Sequence, residues 1–292
     1  MFGRSRRNMM LRLALGVYLA AVTYGQENAA WTEPFPPHKI AGNLYYVGSK
    51  DLASYLVTTP QGLILINSSL ESSVPLIQES IEKLGFKFQD VKILLISHAH
   101  YDHCAGSAAI KKLTGAKYMV MQPDVEEVEN GGATNFHYAN DKNFLYPPTK
   151  VDLVLKDGDQ VKLGGSVLTA HLTPGHTRGC TTWTMQVMDG GKPLNAVIVG
   201  SPNVNAGYKL VNNTQYPQIT ADYEKTFRVL QSLPVDLFLG AHGAYYGMNA
   251  KYPLLLPNGP NPFVDSEGYH AYVAERERAF RVEWEKQKGK SN

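Results

Sequence analysis

The chain has 292 residues, with 28 Lys and Arg against 26 Asp and Glu, a formal net charge of +2. Hydrophobic residues make up 43% and charged residues 18%, which excludes a disordered chain, and two cysteines are too few for a disulfide-stapled mini-fold. The near balance of charge offers no electrostatic footprint for nucleic acid, and the length suits one large α/β domain or two small ones.

Residues 1–25 read as a signal peptide. Arg4, Arg6, Arg7 and Arg12 lie in a segment without acidic residues, an apolar stretch runs from Leu13 to Val22, and Thr23-Tyr24-Gly25 precedes the expected cut. Ten apolar residues are too few to span a bilayer, which takes about 20, so no stable membrane anchor is expected. Ser5-Arg6-Arg7 also has the adjacent arginines of a twin-arginine signal, a pair common in basic leaders. The expected product is exported and periplasmic. Without the four leader arginines it carries 24 basic against 26 acidic residues, a formal charge of −2.

Residues 26–40, with Pro34, Pro36 and Pro37, read as an irregular arm. Leu44–Val47, Ser54–Thr58 and Leu63–Ile66 are short β-branched and aromatic runs separated by Gly or Pro, the pattern of strands. Val74, Ile77, Ile81 and Leu84 share one helical face within Glu71–Leu84. The apolar run Val91–Ile96 predicts a strand buried on both faces. Ala105–Leu113 reads as a helix and Lys117–Met121 as a strand. Gly131–Lys150 reads as a long loop of the kind that often serves function. Strands are predicted at Val151–Leu155, Gln160–Leu163, Val167–Leu172, Thr181–Val187, Ala196–Val199 and Val235–Leu239, and helices at Tyr223–Leu233 and Tyr269–Lys286. Both halves mix strands and helices without a linker, which favours two sheets packed face to face with helices outside, in a single domain over residues 26–292.

The densest chemical signal is Ser97-His98-Ala99-His100-Tyr101-Asp102-His103, directly after the buried strand. In an extended segment alternate side chains share a side, so His98 and His100 point together. Asp102 and His103 follow where the chain turns into the next helix. Imidazole and carboxylate are good zinc ligands. Three His and one Asp within six residues exceed what one tetrahedral ion needs if it also keeps a water, so the arrangement suits two ions. The chain has nine His, and three of them in one such stretch is improbable by chance. His176, in Thr173-Pro174-Gly175-His176-Thr177, and His242, in Gly240-Ala241-His242-Gly243, each follow a predicted strand beside a Gly. Ligand sites gather at such strand ends.

The spacing HxHxDH, a His after Thr-Pro-Gly and a late His resemble the metallo-β-lactamase superfamily. The resemblance runs from Trp31 to Tyr246 and implies an αββα four-layer sandwich with two zinc ions at one edge. It assigns His98, His100 and His176 to one ion and Asp102, His103 and His242 to the other. Most hydrolases of the superfamily, thioesterases and lactonases included, carry a bridging Asp after a Gly at a later strand end. Here Gly200-Ser201 stands there, and a Ser cannot bridge. His103 together with Ser201 resembles subclass B3 of the lactamases. So do Ile40–Gly48, Gly175–Trp183 and Val204–Leu210. Asn67-Ser68-Ser69 departs from a Gly-rich pattern, and Asn203 stands where a Ser or Thr is frequent.

The resemblance implies hydrolysis of the β-lactam amide bond by a zinc-bound hydroxide. Asp102 would orient that hydroxide as the catalytic carboxylate, and Ser201 and Asn203 would hold the substrate carboxylate. The long loop and the arm near Trp31 would flank the groove. The expected partner is a small-molecule β-lactam, with no nucleic acid. A monomer is the simpler expectation. The alternatives are another metal hydrolase of the same fold, acting on a lactone, thioester or phosphodiester, and a non-catalytic zinc-binding protein. Cys104 and Cys180 both adjoin ligand loops, and a disulfide or two buried thiols fit equally. His38 and His270 are expected at the surface, His171 in a structural role, and His137 in solvent.

Overall fold

The computed structural model describes residues 28–257 and 259–290, so the leader expected over residues 1–25 lies outside them. In chain order the first sheet uses β1 (His38–Ala41), β2 (Leu44–Tyr46), β3 (Tyr55–Thr59), β4 (Gly62–Ile66), β5 (Val91–Leu95), β6 (Lys117–Met121) and β7 (Leu153–Leu155), and its spatial order follows the sequence. β1 to β4 pair antiparallel, and β4 to β7 pair parallel. The parallel crossovers carry α1 (Val74–Lys83), the single turn α2 (Tyr101–Cys104), α3 (Ser107–Thr114) and the short α4 (Val125–Glu129).

The second sheet uses β8 (Gln160–Leu163), β9 (Ser166–Leu172), β10 (Thr181–Asp189), β11 (Lys192–Val199) and β12 (Leu237–Gly240), in spatial order β12-β11-β10-β9-β8. Only β11 and β12 are parallel neighbours there, joined through α5 (Ile219–Ser232). α6 (Met248–Lys251) and the long α7 (Ser266–Lys290) complete the chain.

Alternation of side chains explains the layering. In β4, Ile64 and Ile66 enter the core between the sheets, while Leu63 and Leu65 enter a second core under α1 and α3. β5 divides likewise: Ile93 and Leu95 face the second sheet, and Val91 and Leu94 the helices. The apolar run read as a strand buried on both faces is therefore central in its sheet. Each such Leu or Ile contributes about 1.5–3 kcal/mol by leaving water. On the far side, Phe227 and Leu230 of α5 and Tyr269, Val273 and Phe280 of α7 join the core that passes through the second sheet. The result is the expected αββα sandwich.

Several local expectations are corrected. β1 occupies part of the stretch read as an irregular arm, because Pro36 and Pro37 mask a strand of only four residues. His38 is buried rather than superficial, with its ring stacked on Tyr46 and Phe263 and its Nδ1 bonded to the Pro36 carbonyl. β11 starts at Lys192, four residues early, since Gly190 and Gly191 at φ 54° and 80° close a tight hairpin with β10. Cys104 and Cys180 are buried free thiols. The departure at Asn67-Ser68-Ser69 is met without glycine. Asn67 and Ser69 take left-handed φ of 66° and 54°, and the Asn67 side chain accepts from Ser97 N–H (2.7 Å) and donates to the Ala53 carbonyl (3.1 Å).

Tyr55 of the first sheet donates to the Gly240 carbonyl of the second (2.7 Å), two residues before His242. Tyr55→Phe leaves that buried carbonyl without its hydroxyl partner. The expected loss is about 1–3 kcal/mol of stability, measured by denaturant unfolding.

Candidate metal centre

Three strand ends meet at one edge of the sandwich. Beyond β5 the chain is gripped by β10 of the second sheet: Trp183 Nε1 donates to the Ile96 carbonyl (3.0 Å) and Thr181 N–H to the Ser97 carbonyl (2.7 Å). His98 and His100 follow this clamp, His100 in extended backbone, and α2 starts at once, carrying Asp102 and His103 on its single turn. His176 follows β9 through Gly175, whose φ is 125° and whose added Cβ would lie 2.8 Å from the Tyr223 ring. His242 follows β12, and its segment bridges to Leu52.

All six residues predicted from the sequence converge. His100 Nδ1 lies 3.1 Å from His176 Nε2, and the His98 ring stands edge-on to both. His103 Nε2, His242 Nε2 and Asp102 Oδ2 form a triangle with sides of 3.2, 3.2 and 3.5 Å. Two donors of one tetrahedral zinc, each at 2.0–2.1 Å, stand about 3.3–3.4 Å apart, so both spacings suit shared ions. The donor atoms of His98, His100 and His176 lie within 4.8 Å of one another, and so do those of His98, Asp102 and His103, which makes the two groups adjoin at His98. Both ring nitrogens of His98 are buried without a hydrogen-bond partner among the described residues. Such an orphan is costly unless something binds it.

Neighbouring groups set the tautomers. His176 Nδ1 donates to the Asn203 backbone carbonyl (2.8 Å), and His242 Nδ1 donates to Asp51 Oδ2 (2.9 Å), which turns each Nε2 inward. The Tyr208 hydroxyl donates to the His176 carbonyl (2.9 Å), so toward His100 Nε2, 3.4 Å away, its oxygen accepts. His100 therefore carries its hydrogen on Nε2 and presents Nδ1. Burial pushes His98, His100 and His103 below the usual imidazole range and His176 down to about 4, which keeps all four neutral. His242 differs. Burial opposes its charge, but its bonds to Asp102 and Asp51 prevail and push it up to about 9. Burial would likewise raise Asp102, yet His103 and His242 hold it well below the usual carboxylate range. Zinc requires a carboxylate and neutral imidazoles, so Asp102 and four of the histidines are already in the ligand state, and His242 would give up a proton on binding an ion. The residues present fit two zinc ions.

Sequence reasoning missed Asp51, which also accepts from Trp31 Nε1 and Ala244 N–H, and Asp124. The Asp124 carboxylate is buried and accepts from Ala99 N–H (3.0 Å), the Thr177 hydroxyl (2.7 Å) and Gly179 N–H (2.6 Å), locking two ligand loops together. A carboxylate among predicted loops was the only available signal, and the chain has many. The flanking segments lie where expected. Trp31 packs against Tyr101 and His242, Tyr138 against His100, and Phe144 stacks on Tyr138. Ser201, after Gly200 at the end of β11, and Asn203 both adjoin the Tyr245 hydroxyl.

Residues 52–187 match the family described as the metallo-beta-lactamase superfamily. The native FEZ-1 metallo-β-lactamase of Legionella gormanii is 57% identical, with a TM-score of 0.87 over 88% of this chain and 98% of that one. The chain belongs to the metallo-β-lactamase superfamily, in subclass B3. The class B3 di-zinc enzyme LRA-12 from an Alaskan soil metagenome is 34% identical, with a TM-score of 0.83 over 88% of this chain and 97% of that one. A hydroxyacylglutathione hydrolase of Rhodopseudomonas palustris is 27% identical over 212 residues, 72% of this chain and 70% of that relative. Like its relatives, the chain is a hydrolase.

Asp51→Ala frees the His242 ring to rotate. Zinc affinity in the group that contains His242 is expected to fall about 10- to 100-fold, read by competition with a chromophoric chelator.

Proposed function

We propose that this protein is an exported, zinc-dependent β-lactamase that opens the β-lactam amide bond. The observation that carries the reading is a pair of adjoining donor groups beside a neutral Ser201, where a bridging carboxylate would suit a thioesterase or lactonase. The 57% identity to the Legionella gormanii enzyme supports it.

His98, His100 and His176 would hold one zinc, and Asp102, His103 and His242 the other. When bound, zinc supplies Lewis acidity and lowers the pKa of a coordinated water to about 7. The chain's own residues do the rest. The four neutral imidazoles offer lone pairs without first releasing a proton. The Asp102 carboxylate accepts a hydrogen bond from the attacking water and orients it toward the amide carbon. Ser201, with the Asn203 and Tyr245 side chains beside it, offers neutral donors to the substrate carboxylate. Trp31, Tyr101, Tyr138 and Phe144 wall the approach and limit water around the reacting bond. The basic-then-apolar leader supports export to the periplasm, where such substrates arrive. No helix among the described residues is long and apolar enough to cross a membrane. We take the working unit to be a monomer.

A thioester substrate is the second reading, favoured by the hydroxyacylglutathione hydrolase relatives and opposed by Ser201. One preparation assayed on a chromogenic cephalosporin, a penicillin, a homoserine lactone and a glutathione thioester separates the readings. Cephalosporin turnover is expected to dominate, to vanish on chelation and to return with zinc. Turnover that survives complete demetallation would overturn the mechanism. His242→Ala is expected to reduce bound zinc from two ions per chain to one while the thermal unfolding transition persists. Two retained ions would remove His242 from the ligand set.

A further inference from the structure

Four polar side chains at the edge of the centre form a hydrogen-bonded chain. Arg276 of α7 donates from Nη1 to Asn203 Oδ1 (3.4 Å). Asn203 Nδ2 donates to the Tyr245 hydroxyl (2.9 Å), and the Tyr245 and Ser201 hydroxyls lie 3.2 Å apart. Asn203 N–H also reaches Ser201 Oγ at 3.4 Å. The chain touches both donor groups. The Tyr245 ring lies 5.1 Å from that of His242, and the Asn203 carbonyl accepts from His176. The guanidinium is itself held, paired with Glu275 and 5.9 Å from the Tyr272 ring centroid.

The direction of this chain is fixed from one end. A guanidinium has donors and no acceptor, so it selects the amide orientation of Asn203 with Oδ1 toward Arg276. Nδ2 then faces Tyr245, whose oxygen accepts. The Ser201 and Tyr245 hydroxyls own two hydrogens, and one is used between them. The other has no acceptor among the described residues, whichever hydroxyl carries it. Were the amide turned over, Oδ1 would take the Tyr245 hydrogen, Ser201 would donate to Tyr245, and none would be left.

We propose that Arg276 is a positioning residue that keeps one hydroxyl hydrogen of the Ser201–Tyr245 pair available to the substrate carboxylate. An O–H···O⁻ bond is charge-assisted, and its loss weakens binding about 10-fold or more. The inference rests on the β-lactamase reading, since it needs a substrate that carries a carboxylate.

The test is a double-mutant cycle on the zinc-loaded full chain, using a penicillin and its methyl ester. Arg276→Met is expected to raise KM for the free acid about 5- to 30-fold, with kcat within about twofold and two zinc ions retained, whereas Tyr245→Phe, which leaves the Ser201 hydrogen unclaimed, should raise it by a smaller factor. The inhibition constant of the hydrolysed acid should rise in parallel. In the Tyr245→Phe background, Arg276→Met should add less than about twofold, and neither change should affect the ester. Asn203→Asp, which offers Tyr245 only acceptors, should reproduce the loss and keeps the test decisive if Tyr245→Phe does not fold. Additive effects in the cycle, equal effects on acid and ester, or an unchanged KM in Asn203→Asp would overturn the proposal. Failure of the wild-type protein to open any β-lactam would overturn the underlying reading first, before any variant is compared.

Discussion

Imidazole nitrogens about 3.1–3.2 Å apart, with lone pairs turned toward each other inside a protein, repel unless a cation or a proton lies between them. The edge of this sandwich is built to hold that arrangement. His176 and His242 are pinned from outside by an acceptor on Nδ1, and His100 by the Tyr208 oxygen at Nε2, so that the inward nitrogens of His176 and His100 are without hydrogens, while Nε2 of His242 holds beside Asp102 a proton that a metal ion would displace. Burial then makes the neutral form of four histidines the stable one. The centre is thus prepared by desolvation and by hydrogen-bond direction before any ion arrives.

Rigidity comes from the strand ends. The candidate donors emerge from β5, β9 and β12, and each exit is tied to a neighbour. Trp183 and Thr181 hold the first, Asp124 joins the first to the second, and the bridge at Leu52 steadies the third. Asn67 shows how closely this shell is specified. It bears a left-handed backbone that glycine would adopt more cheaply, and its side chain gains two buried hydrogen bonds there, one to Ser97 N–H beside the first ligand. The same economy places Ser201 in a hydroxyl–amide chain that runs out to α7, linking the edge of the donor cluster to the C-terminal helix.

Much of this was legible from the sequence. Apolar runs such as Val91–Ile96 marked the central strand because burial on both faces leaves no polar alternation. The His98–His103 cluster stood out because its donors are neighbours in the chain, where extended backbone and then a helical turn bring them to one side. The hidden features are those whose partners are far apart. Asp51 meets His242 across 191 residues, and Arg276 meets Asn203 across 73. A lone Asp or Arg in a loop or charged helix carries no local mark of such a partner. β11 lost its first half to the same problem: Lys192, Pro193 and Asn195 look like a loop until the turn at Gly190-Gly191 pairs them with β10.

By itself, then, the sequence determined the mixing of two sheets with outer helices, the crowding of His98, His100, Asp102 and His103 at one strand end and the absence of a carboxylate at position 201, because each is written in local spacing or composition, and the family resemblance added His176 and His242 as candidate donors. The tertiary structure alone decided which nitrogen of each imidazole faces inward, which acidic side chain orients His242, and which way the amide of Asn203 points. Hydrogen-bond direction depends on partners brought together by folding, and no spacing along the chain encodes it.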